Sequence, residues 1–153
     1  MSNRIVVPVD GSEHSLRALD LAVDIARQRG CGLRLVHVIP SGTAPVELQQ
    51  WAQVEHLHEA PQWLYEEGLA ENVLGIAQDR IARVGDLDVD RLVERGDAAR
   101  RIIALSEDAD VEMVVMGSRG LSDFVGLVVG SVAHKVAHSA HCPVVTVSAG
   151  AAP

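Results

Sequence analysis

Four small residues punctuate the stretch "VVMGSRGLSDFVGLVVGSVAHKV", which runs from Val114 to Val136: Gly117, Gly120, Gly130 and Ser131. An apolar run leads into the first glycine, and a helical pattern follows the serine. That order suits an anion site, because free backbone N–H groups and the positive end of a helix dipole both favour phosphate. Glycine serves where backbone must approach a ligand or take positive φ. Gly117 and Gly120 would carry the first half of such a site, and Gly130 with the N–H and hydroxyl of Ser131 the second. Read alone, the same residues also fit a plain turn followed by a serine-capped helix. Six of the nine residues between, Leu121 to Val129, are Leu, Phe or Val, so the loop must bury something or lie against another subunit.

Two better-known phosphate motifs do not fit. The Walker A pattern needs a lysine before its Ser or Thr, and Lys135 is the sole lysine of the chain. A dinucleotide GxGxxG belongs after the first strand, where "VDGSEHS" offers one glycine. Asp10, in that segment, is by type either a ligand-facing carboxylate or a turn aspartate. His134, His138 and His141, beside Cys142, invite a zinc reading. At roughly 100° per residue, however, Val129, Val132, Ala133, Val136, Ala137 and Ala140 form the buried stripe and the histidines fall opposite it, which predicts solvent exposure and no metal. His56 and His58 read as surface residues, and Glu66, Glu67 and Glu71 as a solvated helix face. Asp123 is a weak candidate for a catalytic acid or base, so no catalytic residue is assigned.

The elements that would position these residues follow from periodicity. Arg4 to Asp10 is a near-continuous apolar run, as in a strand buried on both faces of a parallel sheet. Ser12 then caps a helix marked by Leu16, Leu19, Ala22, Val23 and Ala26, which Gly30 stops. "GLRLVHVI" (32–39) is a second strand. A long connection from Thr43 to Gln62 has no clear period, and Ala70, Val73, Ala77, Ile81 and Val84 mark a helix running to Gly85. "DVDRLVERG" (88–96) reads as a polar edge strand. A helix from Ala98 to Ala109, the strand "VEMVVMG" (111–117), a helix from Ser131 to Ala140 and the strand "PVVTVS" (143–148) complete the order. Strands alternating with helices imply right-handed crossovers and an open five-stranded parallel sheet with helices on both faces, a Rossmann-like α/β fold. Ligands in such sheets bind beyond the strands' carboxyl ends, where strand order reverses. Asp10, Val38 to Pro40 and Gly117 onward would lie there.

The 153 residues suit one domain. A formal charge of −8 disfavours nucleic acid and anionic membrane surfaces. The longest near-apolar stretch, Phe124 to Val129, is far short of the ~20 residues of a membrane helix. A soluble, cytoplasmic protein with reduced Cys31 and Cys142 is expected.

"MGSRGLSDFVGLVVGSV" (116–132) resembles the GxxG(x9)G(S/T) signature of ATP-binding universal stress proteins, with "IVVPVDGS" near the start, "LVHVI" after the first helix and "HCPVVTV" near the end in the same order. The resemblance covers residues 1–149, leaving 150–153 as a short tail. It implies an adenine nucleotide alpha hydrolase-like sheet with ATP, and Mg carried through its phosphates, at the carboxyl edge. Asp10 and Val38 would frame the adenine, Val38 through its backbone, with Pro8 nearby. Met116 and Gly117 would lie against the nucleoside. Gly120, Gly130, Ser131 and Val132 would hold phosphates, and Arg119 could approach them. The resemblance further implies a stress-response regulator or adaptor switched by nucleotide, a homodimer or higher homo-oligomer formed through the last strand, and a regulatory protein partner. A nucleotide-independent adaptor, or a slow ATPase or autokinase, are the alternative uses of the same fold.

Overall fold

The computed structural model describes residues 3–40, 62–120 and 129–149. Among these, strands β1 (Arg4–Pro8), β2 (Gly32–Ile39), β3 (Val89–Arg95), β4 (Val111–Gly117) and β5 (Val144–Val147) alternate with helices α1 (Glu13–Arg29), α2 (Gln62–Ala82), α3 (Ala98–Leu105) and α4 (Ser131–Ser139). Every pairing is parallel, in the order β3-β2-β1-β4-β5. The chain moves outward from β1 to β2 and β3, then returns to the other side for β4 and β5. The reversal puts the switch point between β1 and β4.

Burial explains the apolar runs. Ile5, Val7, Leu33 and Leu35 pack with the inner faces of α1 and α2, whereas Val6, Val36, Val114 and Met116 pack with α3 and α4. Successive side chains of one strand therefore enter opposite layers. Each fully buried Val or Leu contributes about 1.5–3 kcal/mol. At the sheet edge β3 is less covered: Val89 and Leu92 pack partly into the two layers, while Val93 is 44% exposed.

Local chemistry sets the helix ends. The Ser12 hydroxyl accepts from the Ser15 N–H at the start of α1, and Gly30 closes it in the left-handed region at φ 70°. Asp97 caps α3 by accepting from the Arg100 N–H. That helix stops at Leu105, short of the expected Ala109, because the Ser106 hydroxyl donates to the Ile103 carbonyl at 2.6 Å and then accepts from the His141 N–H at 2.9 Å. The second helix begins at Gln62, earlier than its apolar face suggests. Leu64 and Leu69 in its first turns are exposed, so no buried period marks them. The remainder of the Thr43–Gln62 connection, with His56 and His58, lies outside the described residues.

Two expectations need correction. Glu66 is not solvated: its carboxylate accepts from the Arg95 guanidinium at 2.6 Å and is 15% exposed, because α2 lies close enough to β3 for the pair to form. On α4 only Ala133 and Val136 are buried, while Val129 and Ala137 are exposed. Val129 precedes the first helical turn, so the helical period does not aim it at the sheet.

Candidate functional site

A cavity of about 260 Å³ opens at the carboxyl ends of β1, β2 and β4. Pro8 and Asp10 reach it from β1 and the turn beyond, Val38 from β2, and Met116 and Gly117 from β4. Arg119 and Gly120 line it from the segment after β4, and Val132 from the first turn of α4. Gly130 caps that turn and Ser131 opens it, and neither is on the lining. Most of the wall is apolar, with Asp10 and Arg119 as its charged residues among those described. Such a wall suits a flat, weakly polar ring, with the charged groups orienting it.

The glycines divide by physical role. A Cβ on Gly117 would stand 2.8 Å from both the backbone carbon and the Cβ of His14, so the head of α1 excludes a side chain there. Close packing of strand on helix, rather than ligand approach, is sufficient reason for this glycine. Gly130 is buried and extended, at φ −73° and ψ 165°, and its N–H donates to the Ser118 carbonyl at 2.6 Å. It is the N-cap of α4 but has no side chain with which to cap. The first helical bond runs from the His134 N–H to the Gly130 carbonyl, so the N–H groups of Ser131, Val132 and Ala133 have no acceptor within the helix. Ser131 is the first helical residue and is exposed, not the cap.

Asp10 has a local structural role as well. Its Oδ1 accepts from the Ser12 N–H at 2.9 Å, holding the turn between β1 and α1. The carboxylate is thus oriented at the cavity wall by the same turn that starts the helix.

Several lining residues have no motif to announce them. His37, buried on β2, donates from Nδ1 to the Val9 carbonyl at 2.9 Å, since a carbonyl can only accept. This bond ties β2 to the exit of β1 and makes Nε2 the acceptor of the neutral ring. Ser15, Gly96 and Ile102 also line the cavity. Their spacing carries no period that points at a site; strand order together with the packing of α1 and α3 on the sheet brings them together.

His14, in the first turn of α1, is a further residue that sequence patterns did not single out. Its Nδ1 lies 3.2 Å from both the Ser118 hydroxyl and the Ala149 N–H, and its Nε2 lies 3.2 Å from Nη2 of Arg119. Ser118 in turn donates its N–H to the Val147 carbonyl at 2.8 Å. One ring therefore touches the head of α1, the segment after β4 and the chain just beyond β5.

The other histidines stay apart from the cavity. His134 and His138 are exposed with their rings stacked at 6.4 Å, and His141 Nε2 lies 3.0 Å from a Glu107 carboxylate oxygen. No group of three metal-capable side chains occurs among the described residues. Leu121, Asp123, Phe124 and Leu127 fall outside those residues.

A fold and site of this kind define a family, and the family model for the "Universal stress protein family" matches residues 1–148; the chain belongs to that family. It is 30% identical over 150 residues to universal stress protein YxiE of Bacillus subtilis, covering 96% of this chain and 99% of that one. Against a Mycobacterium tuberculosis relative, by contrast, it spans 43% of the partner's length. The fold is similar to that of universal stress protein UspA from Lactobacillus plantarum, with a TM-score of 0.75, 22% identity and coverage of 95% and 97%. It is also similar to the universal stress protein from Archaeoglobus fulgidus in complex with dAMP, with a TM-score of 0.68, 22% identity and coverage of 96% and 98%. Among the described residues no helix is long and apolar enough to cross a membrane.

Proposed function

We propose that this universal stress protein binds an adenine nucleotide, ATP foremost, in the cavity between β1 and β4, and that occupancy works in the cytoplasm as a stress-response switch on partner contacts. The observation that carries the reading is the meeting of eight motif-derived residues, from Pro8 to Val132, on one largely apolar cavity with a cationic end at Arg119. Adenine would sit on the side of Asp10 and Val38, with Met116 and Gly117 against the nucleoside. The phosphates, with any Mg carried on them, would run toward Arg119, Gly120 and the head of α4, which Gly130 opens and where Ser131 and Val132 present backbone N–H groups. The dAMP complex of the Archaeoglobus relative supports adenine as the base.

Fast phosphoryl transfer needs a positioned nucleophile and groups that meet developing charge. Among the described residues Asp10 is the carboxylate residue on the lining, and its Oδ1 accepts from the Ser12 N–H on the adenine side. Hydrolysis or autophosphorylation is accordingly weak at most, and a switch is the better reading. The outer edge of β5 is a sheet edge, which supports pairing with a second copy through that strand.

Calorimetry of ATP, ADP and AMP tests the reading. The wild type should bind ATP, and Gly120→Glu, which sets a carboxylate against the phosphates, should weaken it by about tenfold or more. No heat from the wild type at millimolar nucleotide sinks the proposal. Sedimentation with and without ATP reads the assembly.

A further inference from the structure

The ring of His14 is asked for more hydrogen-bond acceptance than it has. Arg119 and the Ala149 N–H can only donate, and they stand at opposite ring nitrogens, each 3.2 Å away. A neutral imidazole has one lone-pair nitrogen, and a protonated one has none. With the proton on Nδ1, Arg119 and Ser118 are satisfied but the Ala149 N–H meets another donor. With the proton on Nε2, the Ala149 N–H is satisfied and the Ser118 hydroxyl can donate as well, but Nε2–H and the Arg119 guanidinium face each other as two donors. Neither tautomer satisfies every neighbour.

One added acceptor resolves the conflict. An oxyanion beside Arg119 can accept from both the guanidinium and the Nε2–H, leaving Nδ1 free for the Ala149 N–H and the Ser118 hydroxyl. Water could fill that role, but the guanidinium charge favours an anion, because hydrogen bonds between ionised partners are the stronger ones. Among the described residues the ring bonds to Ser118, Ala149 and Arg119, and none of these is a carboxylate that could serve as the added acceptor. His14 itself is not on the cavity lining; it stands behind Arg119, which is.

We propose that His14 is a phosphate-binding residue, acting with Arg119 as a paired donor for a terminal phosphate oxygen at the cationic end of the cavity. The reading deepens the nucleotide proposal and rests on it for the adenine half alone. It also gives the site a path to the chain end: anion binding selects the Nε2–H tautomer, and that tautomer makes the bond to Ala149 just beyond β5.

Separate probes for the two halves make the test decisive. Inorganic tripolyphosphate and adenosine are titrated into the full chain by calorimetry, and the His14 ring nitrogens are followed by 15N NMR. Tripolyphosphate should bind the wild type and turn Nδ1 into the unprotonated nitrogen. His14→Phe, which keeps the Cβ that packs on Gly117 but removes both nitrogens, should weaken tripolyphosphate by about tenfold while leaving adenosine unchanged. His14→Gln, whose amide restores a donor near the Nε2 position, should recover most of the loss. Equal tripolyphosphate binding by wild type and His14→Phe, unmoved ring nitrogens, or no binding of tripolyphosphate to the wild type would each overturn the pair. Tripolyphosphate binding without adenosine or ATP binding would uphold it and sink the nucleotide reading instead. ATP binding unaffected by His14→Phe would do the reverse.

Discussion

Gly117 and His14 touch where β4 leaves the sheet, so closely that a Cβ on residue 117 would lie 2.8 Å from the Cβ of His14. Gly117→Ala must therefore push the head of α1 from the strand, at a cost of about 1–3 kcal/mol typical of overpacking. Urea unfolding without nucleotide checks this. If the variant keeps wild-type stability and loses only ATP binding, the glycine serves the ligand and not the packing.

Asp10 is expected to separate its two roles by substitution. Asp10→Ala removes the acceptor for the Ser12 N–H and should lower stability by about 1 kcal/mol. Asp10→Asn keeps a side-chain oxygen there and should keep most of that stability while weakening adenosine. Chemical denaturation and adenosine titration on both variants test the split; equal destabilisation by Ala and Asn would refute it.

At the opposite end of the sheet, Arg34 is surrounded by Asp90, Asp108 and Asp110 at 3.0–3.4 Å. Burial works against its charge, but the hydrogen bonds and charges of Asp110 and Asp90 outweigh that and raise its pKa. Arg34→Met should cost about 2 kcal/mol, since the carboxylates lose their shared cation. Adding Asp110→Leu should recover part of the loss, as unfolding midpoints of the single and double variants would reveal.

Both thiols are shifted toward the neutral form. Burial, then the Glu112 charge, raises Cys31 above its ordinary 9.0, and burial raises Cys142 above the same value. A raised folded-state pKa contributes stability that is fully present below the unfolded value and is lost as pH climbs through the folded one. The thiols should therefore add stability at neutral pH that fades above about pH 9. Native protein at neutral pH should react with a thiol reagent more slowly than urea-unfolded protein, with buried Cys31 slower than half-buried Cys142. Native labelling at the unfolded rate would contradict this.

The sequence by itself determined the layers of this protein. Buried parallel strands such as Ile5 to Val7 and Val114 to Met116 are apolar on both faces, so their runs stand out without any partner in view. Ser12 and Gly30 announce the ends of α1 because a cap acts through bonds within a few residues. The spacing of Gly117, Gly120, Gly130 and Ser131 was legible for the same reason: it is local. Only the tertiary structure decided that His37 braces Val9 and that Glu66 pairs with Arg95. It likewise decided that His14 gathers Ser118, Arg119 and Ala149, more than a hundred residues away along the chain. Those contacts follow from strand order and register, which bring distant segments side by side and leave no period in the sequence to read.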